Sequence, residues 1–138
     1  MPSGTTPNIS LIIPTVGGDS NTWGVSLNSN LNVIDRLGVG NPVNVSSNFS
    51  VTYNAAAEQF YRVTTGGLTV TGTLPDPALI PLGKIFTIKV LDLGGSVSIQ
   101  CVNPAVLIDG NVTWFLANQY NFVRLQAVGS AYDVVGIG

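Results

Sequence analysis

Histidine is missing from this 138-residue chain, cysteine occurs once, and charged side chains make up only 9%. Each shortage removes a class of chemistry. Without histidine, Ser/His/Asp and Cys/His nucleophile arrangements cannot be built. One thiol and no imidazole fall short of the four ligands of a structural zinc site. Cys101 has no partner for an internal disulfide, so the chain fits a reducing compartment or is indifferent to redox state. Five Lys and Arg against seven acids give a net charge of −2, which excludes the broad basic surface that phosphate backbones require and makes nucleic acid a poor partner. Charge normally covers about a quarter of a soluble domain. A chain this short of it must be faced with Ser, Thr and Asn or with another protein, and we read it as an assembly or binding protein and not an enzyme.

Other absences bound the location. No Lys or Arg lies in the first twenty residues and the apolar run Ile9 to Ile13 is short, so a secretory signal is not indicated. Every apolar stretch is broken by Gly, Asn, Asp or Pro before it reaches the roughly 18 residues of a membrane helix, which argues against membrane insertion. No phosphate-cradling glycine run and no EF-hand loop occur, and no cofactor is expected. The asparagine sequons at Asn8, Asn44, Asn48 and Asn111 carry no weight in a chain so rich in Asn, Ser and Thr. No internal repeat is evident.

Three zones separate by pattern. Residues 1–19 read as an extended attachment arm, because Pro2, Pro7 and Pro14 forbid a helix while Ile9, Leu11, Ile12 and Ile13 offer one short apolar strand. Residues 20–38 read as a helix. Asp19, Ser20 and Asn21 are candidate N-caps, Gly38 stands at the C-cap, and Trp23, Leu27, Leu31 and Ile34 form one narrow stripe extended by Leu37. A helix of this length is held by packing, either on its own β domain or on symmetry mates and a larger particle.

Residues 42–138 alternate with period two: Phe49, Val51, Tyr53; then Leu68, Val70, Leu74; then Val97, Ile99, Cys101, each interleaved with Ser, Thr, Asn or Gln. Gly94–Gly95, Asp109–Gly110 and Gly129–Ser130 occupy slots for tight two-residue hairpins. The proline-rich stretch 74–83 reads as a loop. The fold class expected is mainly β, an antiparallel β-sandwich or jelly-roll-like domain of about seven or eight strands behind the arm and helix. The segments 85–93 and 120–128 are apolar on both faces, which calls for cover from another subunit and points to a homo-oligomer.

Cys101 reads as a core side chain. Glycoside hydrolysis needs paired carboxylates, whereas most of the seven acids sit in or beside turn signals, where Asp caps backbone amides. Aromatic side chains are the remaining candidates for a site. Trp114, Tyr120 and Tyr132, together with Tyr53 and Tyr61, either stack on sugar rings beside Asn and Gln or fill the core and an interface.

Trp23-Gly24, Leu27-Asn28, Leu31-Asn32 and Ile34-Asp35 compose a motif that resembles the W-G-x-x-L-N-x-x-L/F-x-x-I/L-D helix of tailed-bacteriophage virion proteins, with the usual proline and glycine lead-in at Pro14 to Asp19. The stretch from Ile108-Asp109-Gly110 through Val123-Arg124-Leu125 to Tyr132 and Val135 is similar to the closing β-hairpins of such fibres. The resemblance implies a homotrimeric virion structural protein, made in the host cytoplasm, whose arm and helix grip capsid or tail proteins while the β domain projects. Ile9, Leu11, Ile12, Trp23, Leu27, Leu31 and Ile34 would be its attachment and trimer contacts; no catalytic residue is implied. The absence of a long shaft leaves a short tail fibre, a spike and a capsid decoration all open, with a host surface glycan as a candidate further partner.

Overall fold

A computed structural model describes residues 4–5, 12–13, 42–53 and 58–138. The expected helix over 20–38 and most of the arm lie outside these residues. Contacts divide the chain into two units, Met1–Gly40 with Ala55–Ala57, and Asn41–Asn54 with Glu58–Gly138. In the first unit β1 (Gly4–Thr5) and β2 (Ile12–Ile13) pair antiparallel, so the apolar strand expected at Ile12–Ile13 is present and is paired within the arm itself.

The second unit is mainly β, and its chain path is not that of an antiparallel sandwich. β3 (Val43–Val45), β5 (Glu58–Val63) and β7 (Ile85–Val90) belong to one sheet; β4 (Phe49–Ser50), β6 (Thr69–Leu74) and β8 (Ser96–Cys101) belong to another. The chain therefore crosses from sheet to sheet at every step and lays down three successive coils whose strands stack in parallel. Antiparallel pairing begins only at the end, where β9 (Thr113–Leu116) pairs with β8, and β10 (Phe122–Ala127) pairs with both β7 and β11 (Tyr132–Ile137). The result is two mixed sheets, five-stranded in the order β11-β10-β7-β5-β3 and four-stranded in the order β4-β6-β8-β9. The antiparallel sandwich or jelly roll expected from sequence is corrected on this point, because period-two alternation bounded by turn residues reads the same in either ladder direction.

Register exposes a second correction. From β5 to β7 and from β6 to β8 every residue faces the one 27 positions further on, and the corner contacts Thr65–Asp92 and Asp76–Asn103 keep the same offset. Residues 58–84 and 85–111 are thus two copies of one coil. Val63/Val90, Gly67/Gly94, Val70/Val97, Pro77/Pro104 and Gly83/Gly110 coincide between them, and Arg62/Lys89 and Thr71/Ser98 match in chemistry. The first coil is shorter, with offsets of 18 residues in one sheet and 23 in the other.

Both corners are pinned by equivalent residues of adjacent coils. At one, the Asp92 carboxylate accepts from the Thr65 amide at 2.8 Å, the Gly66 amide at 2.7 Å and the Thr65 hydroxyl at 3.1 Å. Gly66, Gly67 and Gly94 take positive φ there, so the Gly94–Gly95 pair turns the chain between sheets and closes no hairpin. At the other corner Asp76 caps a 3-10 turn (Pro77–Leu79) within the expected 74–83 loop by accepting from the Ala78 amide, and Asn103 Nδ2 donates to it at 2.9 Å. Two expected hairpin turns are present: Asp109–Gly110 sits between the mutually bonded Ile108 and Asn111, and Gly129–Ser130 joins β10 to β11.

Inward positions of both sheets make one core. Val63, Val70, Leu74, Phe86, Ile88, Val97, Ile99, Val123 and Leu125 are all buried, as is Cys101, in keeping with its reading as a core side chain. Burying each large aliphatic or aromatic side chain contributes about 1.5–3 kcal/mol. Leu68, which the alternation placed inward, is 71% exposed in the turn just before β6. On the outer positions of β7 and β10 stand Ile85, Thr87 and Lys89, and Phe122, Arg124 and Gln126, so within the strands the expected apolar second face holds at Ile85 and Phe122, and Leu93 and Tyr120 are exposed beyond the strand ends.

A Cβ added at Gly95 would overlap the Thr65 side chain and the Leu68 carbonyl. Gly95→Ala is expected to destabilise the β unit by about 1–3 kcal/mol, the usual range for overpacking, measured by urea unfolding. An unchanged midpoint would show that the coil corner yields.

Candidate functional site

Each sheet turns one face away from the shared core, and the two outer faces differ in charge. On the four-stranded sheet the outward side chains follow from the buried alternation. Ser50, Thr73, Gln100 and Thr113 form one row, Thr71, Ser98 and Phe115 the next, and Thr69 with Ser96 the third. Parallel stacking of two equivalent coils sets hydroxyl beside hydroxyl, and the Thr69 and Ser96 oxygens lie 3.0 Å apart. An open groove of about 350 Å³ runs along this face, lined by Asn48, Phe49, Ser50, Thr71, Thr73 and Gln100. Asn48 is fixed there by accepting from the Thr71 amide at 2.8 Å, while the Phe49 ring turns to the inner side, over Gly72 and stacked on the buried Tyr61 with ring centres 5.4 Å apart. No Lys, Arg, Asp or Glu occupies any of these positions. Such a surface offers donors and acceptors without charge, together with one phenyl ring, Phe115, 64% exposed.

The outer face of the five-stranded sheet holds most of the described charge. Glu58 accepts from Arg124 Nε and Nη2, both at 3.1 Å, and from the Thr87 hydroxyl. The Arg124 guanidinium holds the Glu58 carboxyl below its ordinary value, against a smaller opposing effect of burial. Room for this side chain comes from β11, where Gly136 leaves space against the Arg124 stem. Lys84, buried at the start of β7, has its ammonium 5.5 Å from the centre of the Tyr53 ring and 5.7 Å from that of Phe86. Burial pushes its pKa down to about 8, and the Glu58 carboxylate opposes the shift.

Three other carboxylates, Asp76, Asp92 and Asp109, accept from backbone amides. Asp76 and Asp92 cap the corners described above, and hydrogen bonds hold both below their ordinary range, led by Asn103 at Asp76 and by the Thr65 amide at Asp92. Asp109 accepts from the Val134 amide at 3.0 Å. Burial raises the Cys101 thiol. Among the described residues no group of three or more Cys, Asp or Glu side chains is arranged to hold a metal ion, and no helix is long and apolar enough to cross a membrane.

The residues singled out from sequence fall in different places. Ile12 lies in β2; Ile9, Leu11, Trp23, Leu27, Leu31 and Ile34 lie outside the described residues. The three aromatic candidates do not come together. Tyr132 is fully buried and its hydroxyl donates to the Pro75 carbonyl at 2.8 Å, so it cannot touch a glycan in the folded chain; burial raises its pKa. Trp114, paired with the inward Ile99, is half-buried against the core. Tyr120 is 59% exposed at a positive φ of 65°. Sequence reasoning missed Phe115, because Thr113-Trp114-Phe115-Leu116 places apolar residues on both parities and only the pairing of Phe115 with Ser98 turns it outward. It also passed over Arg62 and Lys89, which become neighbours only through the coil register. The chain matches no model of a known protein family and no curated protein.

Lys84 and Tyr132 predict a pH dependence with two limbs. A lysine whose folded pKa is about 8 against the ordinary 10.5 makes the unfolded chain bind more protons in that window, so stability rises as pH goes from 8 towards 10.5. Tyr132, raised in the fold from its ordinary 10, removes stability once pH passes 10. Melting temperature is therefore expected to climb between pH 8 and 10 and fall above it. Lys84→Met should flatten the climb, and an unaltered climb in that variant would exclude Lys84 as its source.

Proposed function

We propose that this chain is a non-enzymatic structural subunit of a tailed-bacteriophage particle, a homotrimeric short fibre, spike or capsid decoration attached through residues 1–38. The observation that carries the assembly half of this reading is the outer face of the four-stranded sheet. Nine outward positions there hold Ser, Thr, Gln and one exposed Phe, in a chain whose other sheet carries Glu58, Arg62, Lys89 and Arg124. A face that never needs to repel a copy of itself suits burial against one: hydroxyls and amides pair across it, and Phe115 supplies the apolar anchor typical of an interface centre. The stacked coils would supply a stiff unit that passes load along backbone ladders, with the chemistry of the subunit purely geometric. Support for the phage assignment comes from the Trp23 to Asp35 motif and its proline-glycine lead-in. The engaged carboxylates Glu58, Asp76, Asp92 and Asp109 support a non-catalytic role.

Light scattering on purified full-length chain is expected to give three times the 14.4 kDa monomer mass, and Phe115→Glu to shift that mass towards one chain. A wild-type protein that stays monomeric at high concentration would overturn the trimer, and immunogold labelling that finds no copy on intact particles would overturn the virion assignment.

A further inference from the structure

Arg62 and Lys89 stand directly opposite each other on the adjacent parallel strands β5 and β7. Both project from the outer face, since Tyr61, Val63, Ile88 and Val90 on either side of them turn into the core. Like charges placed opposite in a ladder repel, and the whole chain holds only five cations. Among the described residues neither forms an ion pair; the Glu58 carboxylate is taken by Arg124. Arg62 instead donates Nη1 to the Asn44 amide oxygen at 3.4 Å, and the Lys89 ammonium lies 5.6 Å from the centre of the Tyr120 ring. The pair is therefore held by neutral groups and keeps its charge for something else.

Two aromatic rings frame it. Phe122 on β10 is the register partner of Lys89 on its other side, and its ring covers Gly138, where any Cβ would collide with it. Tyr120 precedes this strand in left-handed backbone, a conformation that a bulky residue adopts at a cost. It is fixed there because its amide donates to the Val90 carbonyl at 2.9 Å. The strained backbone thus presents an exposed ring beside a cation pair that lacks an anion.

We propose that Arg62, Lys89, Tyr120 and Phe122 form a binding site for a carboxylate-bearing saccharide. The sugar carboxylate sits between the two cations, where it removes their mutual repulsion, and a C–H face of the ring lies against Tyr120 or Phe122. A nucleic acid fits less well, since a phosphate chain calls for a row of cations and a net charge of −2 repels a long polyanion. The site lies within one chain and stands apart from the trimer reading.

The test is calorimetric titration of the full chain with a trigalacturonate, with sialyllactose, and with the methyl ester of the trigalacturonate, which keeps the rings and loses the charge. At least one acidic saccharide is expected to bind, with affinity falling as salt rises, and the ester at least tenfold more weakly than its acid. Arg62→Gln, Lys89→Gln and Tyr120→Ala should each weaken binding of that acid tenfold or more, with Leu79→Ala on the exposed 3-10 turn unchanged. Three results would overturn the site: no binding of either acid, equal binding of acid and ester, or tighter binding of a poly-glutamate peptide or an oligothymidylate than of the acidic saccharides. Light scattering on the same variants separates this site from assembly, because loss of binding at wild-type mass concerns the cation pair alone.

Discussion

Stacking residues 85–111 on residues 58–84 at a constant offset of 27 is the constraint from which most of the β unit follows. A parallel ladder needs its two strands joined by a long crossover, and here each crossover is itself a strand of the opposite sheet. Both sheets are therefore built at once and neither can shift register without the other. The corners enforce this, because Asp92 satisfies amides of Thr65 and Gly66 one coil earlier and Asn103 does the same for the Asp76 carboxylate. A half-buried carboxylate placed to accept two backbone amides acts as a spacer that fixes where one coil sits on another.

That constraint also sets what each outer face looks like. In a ladder without register shift, equivalent residues of the two coils become neighbours, so a residue chosen once is displayed twice. Threonine and serine at equivalent positions give a continuous hydroxyl face on one sheet, and arginine with lysine gives an opposed cation pair on the other. The antiparallel strands β9, β10 and β11 end this multiplication. They bring in residues unrelated to the coil, among them Phe115, Phe122 and Arg124, and it is these that give each face its non-repeating features.

The C-terminal edge shows how the chain accommodates them. Gly136 on β11 and Gly138 just past its end leave open backbone over which the Arg124 stem and the Phe122 ring lie. The bulge that pairs Arg124 with Gly136 and Leu125 with Val134 places its extra residue, Val135, on β11, so β10 alternates without a break and keeps Val123, Leu125 and Ala127 in the core. The same strand thereby serves the core, the Glu58–Arg124 ion pair and the aromatic frame of the cation pair.

The mainly β character, the inward set Val70, Val97, Ile99 and Cys101, the turns at Asp109–Gly110 and Gly129–Ser130 and the backbone-capping acids were legible in the sequence, because alternation and turn chemistry are local properties. Ladder direction was not legible, since side chains alternate with period two whichever way a neighbour runs, and Gly94–Gly95 looks the same at a hairpin tip as at a corner between sheets. The repeat itself was hidden, because matched residues such as Arg62 and Lys89 or Thr71 and Ser98 keep chemistry and not identity. Which ring faced out was likewise decided by tertiary pairing: Trp114 opposes Ile99 and goes in, Phe115 opposes Ser98 and comes out, and Tyr132 is drawn into the core by the Pro75 carbonyl. Composition alone determined that this chain has little charge to place. Only the stacking of coils decided where that charge went, because neighbours 27 residues apart are made by register and not by adjacency in the chain.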